Sequence, residues 1–322
     1  MKAIVHTKYG PPDVMYLADV EKPVPNDDQV LIKVHAASVN ALDWHLLTAD
    51  IFLVRLEMGL LKPKRRIRGA DIAGRVEAVG KNITQFKPGD EVFGDTGHGS
   101  FAEYALARER DLVLKPANLS FEQAAAVPVA AVTALQGLRD HGQIQAGQEV
   151  LINGAAGGVG TFAVQIAKAF GAEVTAVCSA RNIEQAHSLG ADHVIDYAKE
   201  DFTKSGRQYD LILAINGYHP LAAYKRSLKP KGAYVMAGGT VRQLFEAVLF
   251  AKWMSEKEGR RMTNFLAQIK QEDLQMLKEM CETGKIIPLV EKVYPLEETP
   301  EAVRYLGSGH ARAKIVIRVD GR

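Results

Sequence analysis

Gln148-Glu149-Val150-Leu151-Ile152-Asn153-Gly154-Ala155-Ala156-Gly157-Gly158-Val159-Gly160 is the stretch whose reading decides the fold. Val150 to Ile152 is a short apolar run of the buried-strand type, and residues 161–170 carry Phe162, Ile166 and Phe170 at helical spacing. Between them lies a turn of small residues, Gly154-x-x-Gly157-x-x-Gly160. A strand, a glycine turn and a helix in that order leave backbone N–H groups and the positive helix end facing outward, with no side chain in the way. That geometry takes up a pyrophosphate. Glycines alone also mark ordinary turns. The residues that follow are more specific: a second strand at 173–178, a helical run at 182–189 and a third strand at 193–196. Two strand–helix–strand units in succession predict a parallel sheet of the dinucleotide-binding kind.

The end of the second strand speaks to which dinucleotide. About 20 residues past the glycine turn, an NAD-binding chain places a carboxylate on the ribose 2′-hydroxyl. Here that place holds Ser179, followed by Arg181. A small hydroxyl beside a guanidinium suits a 2′-phosphate, which a carboxylate would repel. The alternative is that Arg181 is a solvated residue opening the next helix; its position at the strand end favours the phosphate, and NADP(H) is the expected cofactor.

At 322 residues the chain exceeds the usual single-domain size, so two domains are expected. Its only cysteines, Cys178 and Cys281, fall in a predicted strand and a predicted helix, which leaves neither a disulfide framework nor a cysteine zinc cluster. A formal charge of +2 gives no reason to expect nucleic acid. The first residues open directly into a strand pattern, with no signal segment and no run of membrane-spanning length, so a cytoplasmic location is expected.

Along the chain, short β-like runs at 2–6, 29–37, 72–79, 91–93 and 101–107 are separated by turns such as Gly10-Pro11-Pro12 and Lys87-Pro88-Gly89-Asp90. Alternating strands and helices then continue through 210–216 and 232–239, and a last strand is expected at 314–319. The expected class is α/β, with a β-rich domain from 1–122 and 289–322 and a doubly wound parallel-sheet domain at 123–288. An α/β module set within a β-rich one implies a cleft where the cofactor's reactive end meets substrate.

Several short segments, in order, carry a family resemblance. They are residues 147–168 with Gln165 and Lys168, Tyr9-Gly10-Pro11-Pro12, Val39-Asn40-Ala41-Leu42-Asp43, Gly69-x-Asp71-x-x-Gly74, Lys87-Pro88-Gly89-Asp90, Gly99-Ser100-Phe101-Ala102-Glu103-Tyr104 and Gly309-His310-Ala311-Arg312-Ala313-Lys314. Together they resemble the quinone oxidoreductase and ζ-crystallin group of the medium-chain dehydrogenase/reductase superfamily, and among its subgroups the reticulon-interacting mitochondrial protein and its bacterial relatives. The resemblance implies a GroES-like catalytic domain built from both chain ends and a Rossmann domain between them.

It also bears on metal. Zinc alcohol dehydrogenases of this superfamily ligate catalytic zinc through a Cys, a His beside an acid, and a further Cys or acid. The matching positions here are Asn40, Ala70 and Val129, not a zinc-ligand set. Without a Lewis acid a simple ketone is hard to polarise, whereas a quinone or enone delocalises the incoming charge onto oxygen. The expected reaction is therefore hydride transfer from NADPH to a quinone or an α,β-unsaturated carbonyl, with the protein positioning the reactants and shielding them from water.

By resemblance, Asn40 is the first candidate for a polar contact to the nicotinamide ribose or substrate oxygen; a turn-capping role is its alternative. Trp44 and His45 follow in the same loop as candidate pocket lining, and His45 as a candidate proton donor. Asp43 is expected to fix the loop, and Tyr9 and Tyr104 to pack. For the cofactor, the family pattern implies Thr133 near the phosphates, Gly157, Gly158, Val159 and Gly160 at the pyrophosphate, and Ser179 and Arg181 at the 2′-phosphate. It implies Tyr197 beside the adenosine, Asn216 and Gly238 on the nicotinamide side, and His310 and Arg312 in a closing cofactor-proximal motif. Ala313 departs from the family's usual Gly.

Two apolar segments stand apart, residues 52–61 running into Lys62, Lys64, Arg65, Arg66 and Arg68, and residues 244–253. Each reads as a packed helix or solvated loop, as a lid, or as a contact to a membrane surface; the first is favoured over the last. Residues 262–269 read as an edge strand, and a homodimer is expected. A zinc-dependent alcohol dehydrogenase and a non-catalytic NADPH-binding protein remain the alternative functions.

Overall fold

The computed structural model describes residues 1–50, 55–56, 58–239 and 259–319. Residues 244–253 and part of 52–61 lie outside the described residues. The chain forms two compact units, Met1–Ala130 with Ile269–Gly284 and Pro288–Arg322, and Ala131–Gln268 with Lys285–Ile287. Helix Gln271–Glu282 belongs to the first of these, although it falls within the expected 123–288 domain. Its leading residue explains why: the Gln271 amide donates to the Leu112 and Glu109 carbonyls.

The second unit holds a six-stranded parallel sheet in the order His193–Asp196, Glu173–Cys178, Glu149–Asn153, Tyr209–Ala214, Leu228–Met236, Arg261–Asn264. Numbered along the chain that is 3-2-1-4-5-6, the Rossmann order, which reverses direction between the strands ending at Asn153 and Ala214. Val150, Leu151 and Ile152 are fully buried, as strands covered on both faces must be. Helix Gly158–Ala169 follows the first strand and buries Phe162, Ala163 and Ile166. The predicted edge strand is real but shorter, Arg261–Asn264.

In the first unit a seven-stranded sheet runs Val290–Pro295, Lys314–Arg318, Gln29–Val39, Asp71–Val79, Glu91–Asp95, Leu112–Leu114, with Tyr104–Arg108 paired on Gln29–Val39. The long strand Gln29–Val39 is its spine: Ile315 pairs with Val39, and Ser38 with Asp71. Those two registers place Lys314, Asn40 and Asp71 side by side, although they are far apart in sequence. Beneath them Val30, Ile32, Ile72, Val92, Phe101, Ile315 and Ile317 form a core. Of the segment 52–61, Leu56, Leu60 and Leu61 are exposed, Leu61 at 89%. Among the described residues no helix is long and apolar enough to cross a membrane.

Candidate active site

In the second unit the chain leaves strand Glu149–Asn153 through Gly154, whose φ of +90° is open to glycine at little cost. A Cβ at Gly154 would stand 2.8 Å from the Asn216 nitrogen, and one at Gly238 would stand 2.5 Å from the Ile215 carbonyl oxygen. Gly154, Asn216 and Gly238 thus converge at the carboxyl ends of neighbouring strands, at the topological switch point. Ile215 and Asn216 both donate their N–H to the Asn153 carbonyl, at 2.9 and 3.2 Å, which locks the two strand ends together.

The other glycines of the turn have separate duties. At Gly160 a Cβ would collide with the Gly154 oxygen and the Ala155 backbone, so this glycine lets the helix sit close on the strand. At Gly157 a Cβ would meet nothing nearer than the Gly154 oxygen at 4.0 Å, in open space. Gly157 caps helix Gly158–Ala169, and no acidic residue stands in the first turn to neutralise the free N–H groups of Gly158, Val159 and Gly160. A backbone cradle with a bare, positively polarised floor fits a diphosphate.

At the next strand end, Ser179 accepts a hydrogen bond from Asn182 Nδ2 at 3.0 Å. Arg181 is exposed on the 3-10 turn Ala180–Asn182. Tyr197 donates its N–H to the Cys178 carbonyl at 3.2 Å, and the residue is 63% exposed. Ser179, Arg181 and Tyr197 are thereby gathered at one edge of the sheet, a hydroxyl, a guanidinium and an open aromatic face. Cys178 beside them is buried, which pushes its thiol up to about 11 and leaves it inert. Thr133 lies buried on helix Pro128–Gln136.

The first unit gathers a different cluster, made of side chains. Asn40 ends the spine strand and begins helix Ala41–Thr48; its N–H donates to Asp43 Oδ2 at 2.8 Å, and Asp43 Oδ1 also accepts the Gly69 N–H at 3.1 Å. Asp43 therefore clasps two loops. Burial, with the neighbouring Asp71 charge, raises its carboxyl to about 6. The Asn40 side chain turns inward: Nδ2 donates to Asp71 Oδ2 at 2.9 Å and Oδ1 accepts from Lys314 Nζ at 2.6 Å. Asp71, fully buried, also accepts from Ser38 Oγ at 2.5 Å, Lys314 Nζ at 3.2 Å and the Val129 N–H at 2.9 Å.

Asp71 and Lys314 were not singled out as functional from sequence. The signal was present in Gly69-x-Asp71 and in the closing motif that ends at Lys314, but nothing in either motif says that they meet. Trp44 packs its ring against Gly307 and the core, and His45 Nδ1 pairs with Asp50 at 2.9 Å. His310 and Arg312 are exposed ahead of strand Lys314–Arg318, with the Arg312 N–H held by Glu291 at 2.6 Å. A second buried cation, Arg68, donates from Nε to His6 Nε2 at 2.9 Å. Burial lowers His6 to about 4, keeping it the neutral acceptor that this bond requires.

These residues do not suit zinc. The three positions that match a zinc-ligand set present an amide, a methyl and an isopropyl group, and the amide oxygen already faces the Lys314 ammonium. An ammonium at hydrogen-bond distance repels a dication. Among the described residues no three His, Cys, Asp or Glu side chains come together as a ligand group.

Residues 26–117 match the model of the alcohol dehydrogenase GroES-like domain, and residues 189–317 that of the zinc-binding dehydrogenase family. The chain is 32% identical to the chloroplastic quinone-oxidoreductase QR1 of Triphysaria versicolor over 98% of each. It is 33% identical to the chloroplastic NADPH-dependent alkenal/one oxidoreductase of Arabidopsis thaliana, over 98% of this chain and 79% of that protein. Its structure matches the quinone oxidoreductase from Coxiella burnetii with a TM-score of 0.87, at 32% identity over 99% of both chains. With two characteristic domains, a Rossmann sheet and that likeness over nearly its full length, the chain belongs to the quinone-oxidoreductase-like branch of the medium-chain dehydrogenase/reductase superfamily.

Proposed function

We propose that the chain is an NADPH-dependent oxidoreductase that reduces a quinone or an α,β-unsaturated carbonyl without a metal. The observation that carries this is the bare glycine cradle at the sheet's switch point, with Gly157 open and the helix start free of acidic side chains. NADPH, when bound, supplies the hydride. The protein's part is to hold it: the N–H groups of Gly158, Val159 and Gly160 take the diphosphate, and Ser179 and Arg181 take the 2′-phosphate, with Tyr197 against the adenine. Asn216 and Gly238 border the nicotinamide end, and Thr133, His310 and Arg312 complete the cofactor contacts. Asn40 offers its amide to an oxygen of ribose or substrate.

The acceptor class follows from the donor set. With an ammonium and amides in place of a Lewis acid, the protein cannot polarise an isolated carbonyl strongly, so the acceptor must spread the charge itself, as a conjugated system does. The relatives named as quinone and alkenal/one oxidoreductases support that class. In this scheme the β-rich unit, with helix Gln271–Glu282, forms the catalytic domain and the parallel-sheet unit the nucleotide domain. We place the protein in the cytoplasm as a homodimer pairing through the edge strand Arg261–Asn264, which size-exclusion chromatography with light scattering would check.

The test is NADPH and NADH oxidation against 1,2- and 1,4-quinones, 2-alkenals and cyclic enones, with and without chelator. Turnover that prefers NADPH and ignores the chelator is expected. NADPH binding without turnover on any acceptor would overturn the enzymatic reading, and loss of turnover with chelator would overturn the metal-free one.

A further inference from the structure

We infer that Lys314 is the internal cation of this site and that it acts as a positioning residue for Asn40; the inference deepens, and rests on, the role proposed for Asn40 above. Lys314 Nζ has three hydrogens to give and three acceptors around it, Asn40 Oδ1 at 2.6 Å, Asp71 Oδ2 at 3.2 Å and the Val39 carbonyl at 3.4 Å. All three lie inside the protein and the residue is 3% exposed, so the ammonium has no hydrogen left for a ligand. Its effect must pass through what it holds.

What it holds is an amide with two chemically different ends. An ammonium only donates and a carboxylate only accepts, so an amide placed between them has one orientation: oxygen to Lys314, nitrogen to Asp71. Neither neighbour can tolerate the flipped form. Asp71 is itself fixed by Ser38 and by the Val129 N–H, and Asn40 by the Asp43 clasp on its own N–H. The second Nδ2–H of Asn40 has no partner among the described residues, and this group is what the cluster offers. An ammonium against the amide oxygen draws density from the nitrogen and strengthens that N–H as a donor, which helps most when the facing oxygen is gaining charge. The strands that bring this about are the spine and its two neighbours, which meet through Ile315 opposite Val39 and Asp71 opposite Ser38.

The test compares K314M, K314R and the double variant D71N/K314M. K314M alone leaves a buried carboxylate without its counter-ion and is expected to lose folding stability. The double variant removes both charges, so its folding is expected to recover. A purely structural ion pair would then restore activity along with stability. A positioning pair would not, because the amide placed at 71 can face Asn40 with either end. We expect the double variant to melt near the wild type while its kcat with an enone falls about 30-fold and its KM for NADPH moves less than about threefold. K314R should recover most of the activity, and N40A added to the double variant should cost less than about threefold more.

A readout independent of turnover is the carboxamide of Asn40 in selectively 15N-labelled protein. One sharp, exchange-protected pair is expected in the wild type, and a broadened or doubled pair in D71N/K314M. A double variant with wild-type kcat, or with the sharp wild-type pair, overturns the inference. If none of the acceptors supports NADPH oxidation by the wild type, the proposed function fails, and the carboxamide spectrum still decides the orientation claim by itself.

Discussion

The glycine turn at 154–160 and the Asn40–Asp71–Lys314 cluster solve opposite problems. The turn is made of backbone: it offers N–H groups and works because side chains are missing. The cluster is made of side chains, with the charges of Asp71 and Lys314 buried from water and aimed at one another across a separation of 243 residues. A backbone device is rigid and local, so removing space harms it. A side-chain device is assembled by the sheet, and so removing a partner harms it.

The turn itself divides into a structural and a functional half, and the largest expected effect separates them. Gly160→Val should cost about 3 kcal/mol or more of stability, because its side chain has only the Gly154 and Ala155 backbone to displace. Thermal melting would read this directly. Gly157→Val should leave the melting temperature nearly unchanged, since its Cβ meets only open space. It should weaken NADPH binding by about tenfold or more, measured by fluorescence titration, as the branched side chain enters the cradle. If both variants lose stability alike, the division is wrong.

Next in size is the end of the second strand. Arg181→Ala should raise the Kd for NADPH by about tenfold and leave that for NADH within about twofold, because only NADPH carries the phosphate. Equal losses for the two cofactors would make Arg181 a residue of the fold instead.

An effect of similar size concerns the buried charges of the first unit. His6 titrates at about 4 in the folded protein against 6.5 when free. Between those values the unfolded chain holds a proton that the folded one refuses, so stability falls as pH drops from about 6.5 towards 4. At pH 5 the contribution lost is about 2 kcal/mol, a few degrees of melting temperature. His6→Gln keeps an acceptor for the Arg68 Nε–H and has no proton to gain, so its melting temperature should fall less between pH 7 and pH 5 than that of the wild type. Parallel curves would contradict this. Asp43 works in the other sense: its carboxyl, raised to about 6, favours the fold at acid pH and loses that advantage as pH rises through about 6. The comparison is therefore made on the difference between the two proteins.

The two devices also differ in how far a sequence discloses them. Strands 173–178 and 193–196 and the glycine turn could be read from the chain because each is a local pattern: alternating apolar runs, small residues at fixed offsets, a helix with one buried face. The helix starting at Gly158 begins earlier than its apolar residues suggest, since glycines carry no periodicity. The cluster could not be read this way. Asn40 was legible as a candidate by resemblance, but its inward-turned amide depends on the register of three strands, and register is a tertiary fact. The loop expected after Asn40 is instead helix Ala41–Thr48, which sends Trp44 against Gly307 and His45 towards Asp50. A helix turns successive side chains about 100° apart, so neighbours in sequence do not share a face.

The most direct measurement follows a deuterium atom. NADPH labelled at the transferred position would be offered with a cyclic enone, with and without chelator, and the product read by NMR. Metal-free hydride transfer predicts deuterium at the β-carbon of the saturated ketone in both samples, with a solvent proton on the α-carbon. A product whose β-carbon carries only solvent hydrogen, or one that forms only without chelator, would contradict it.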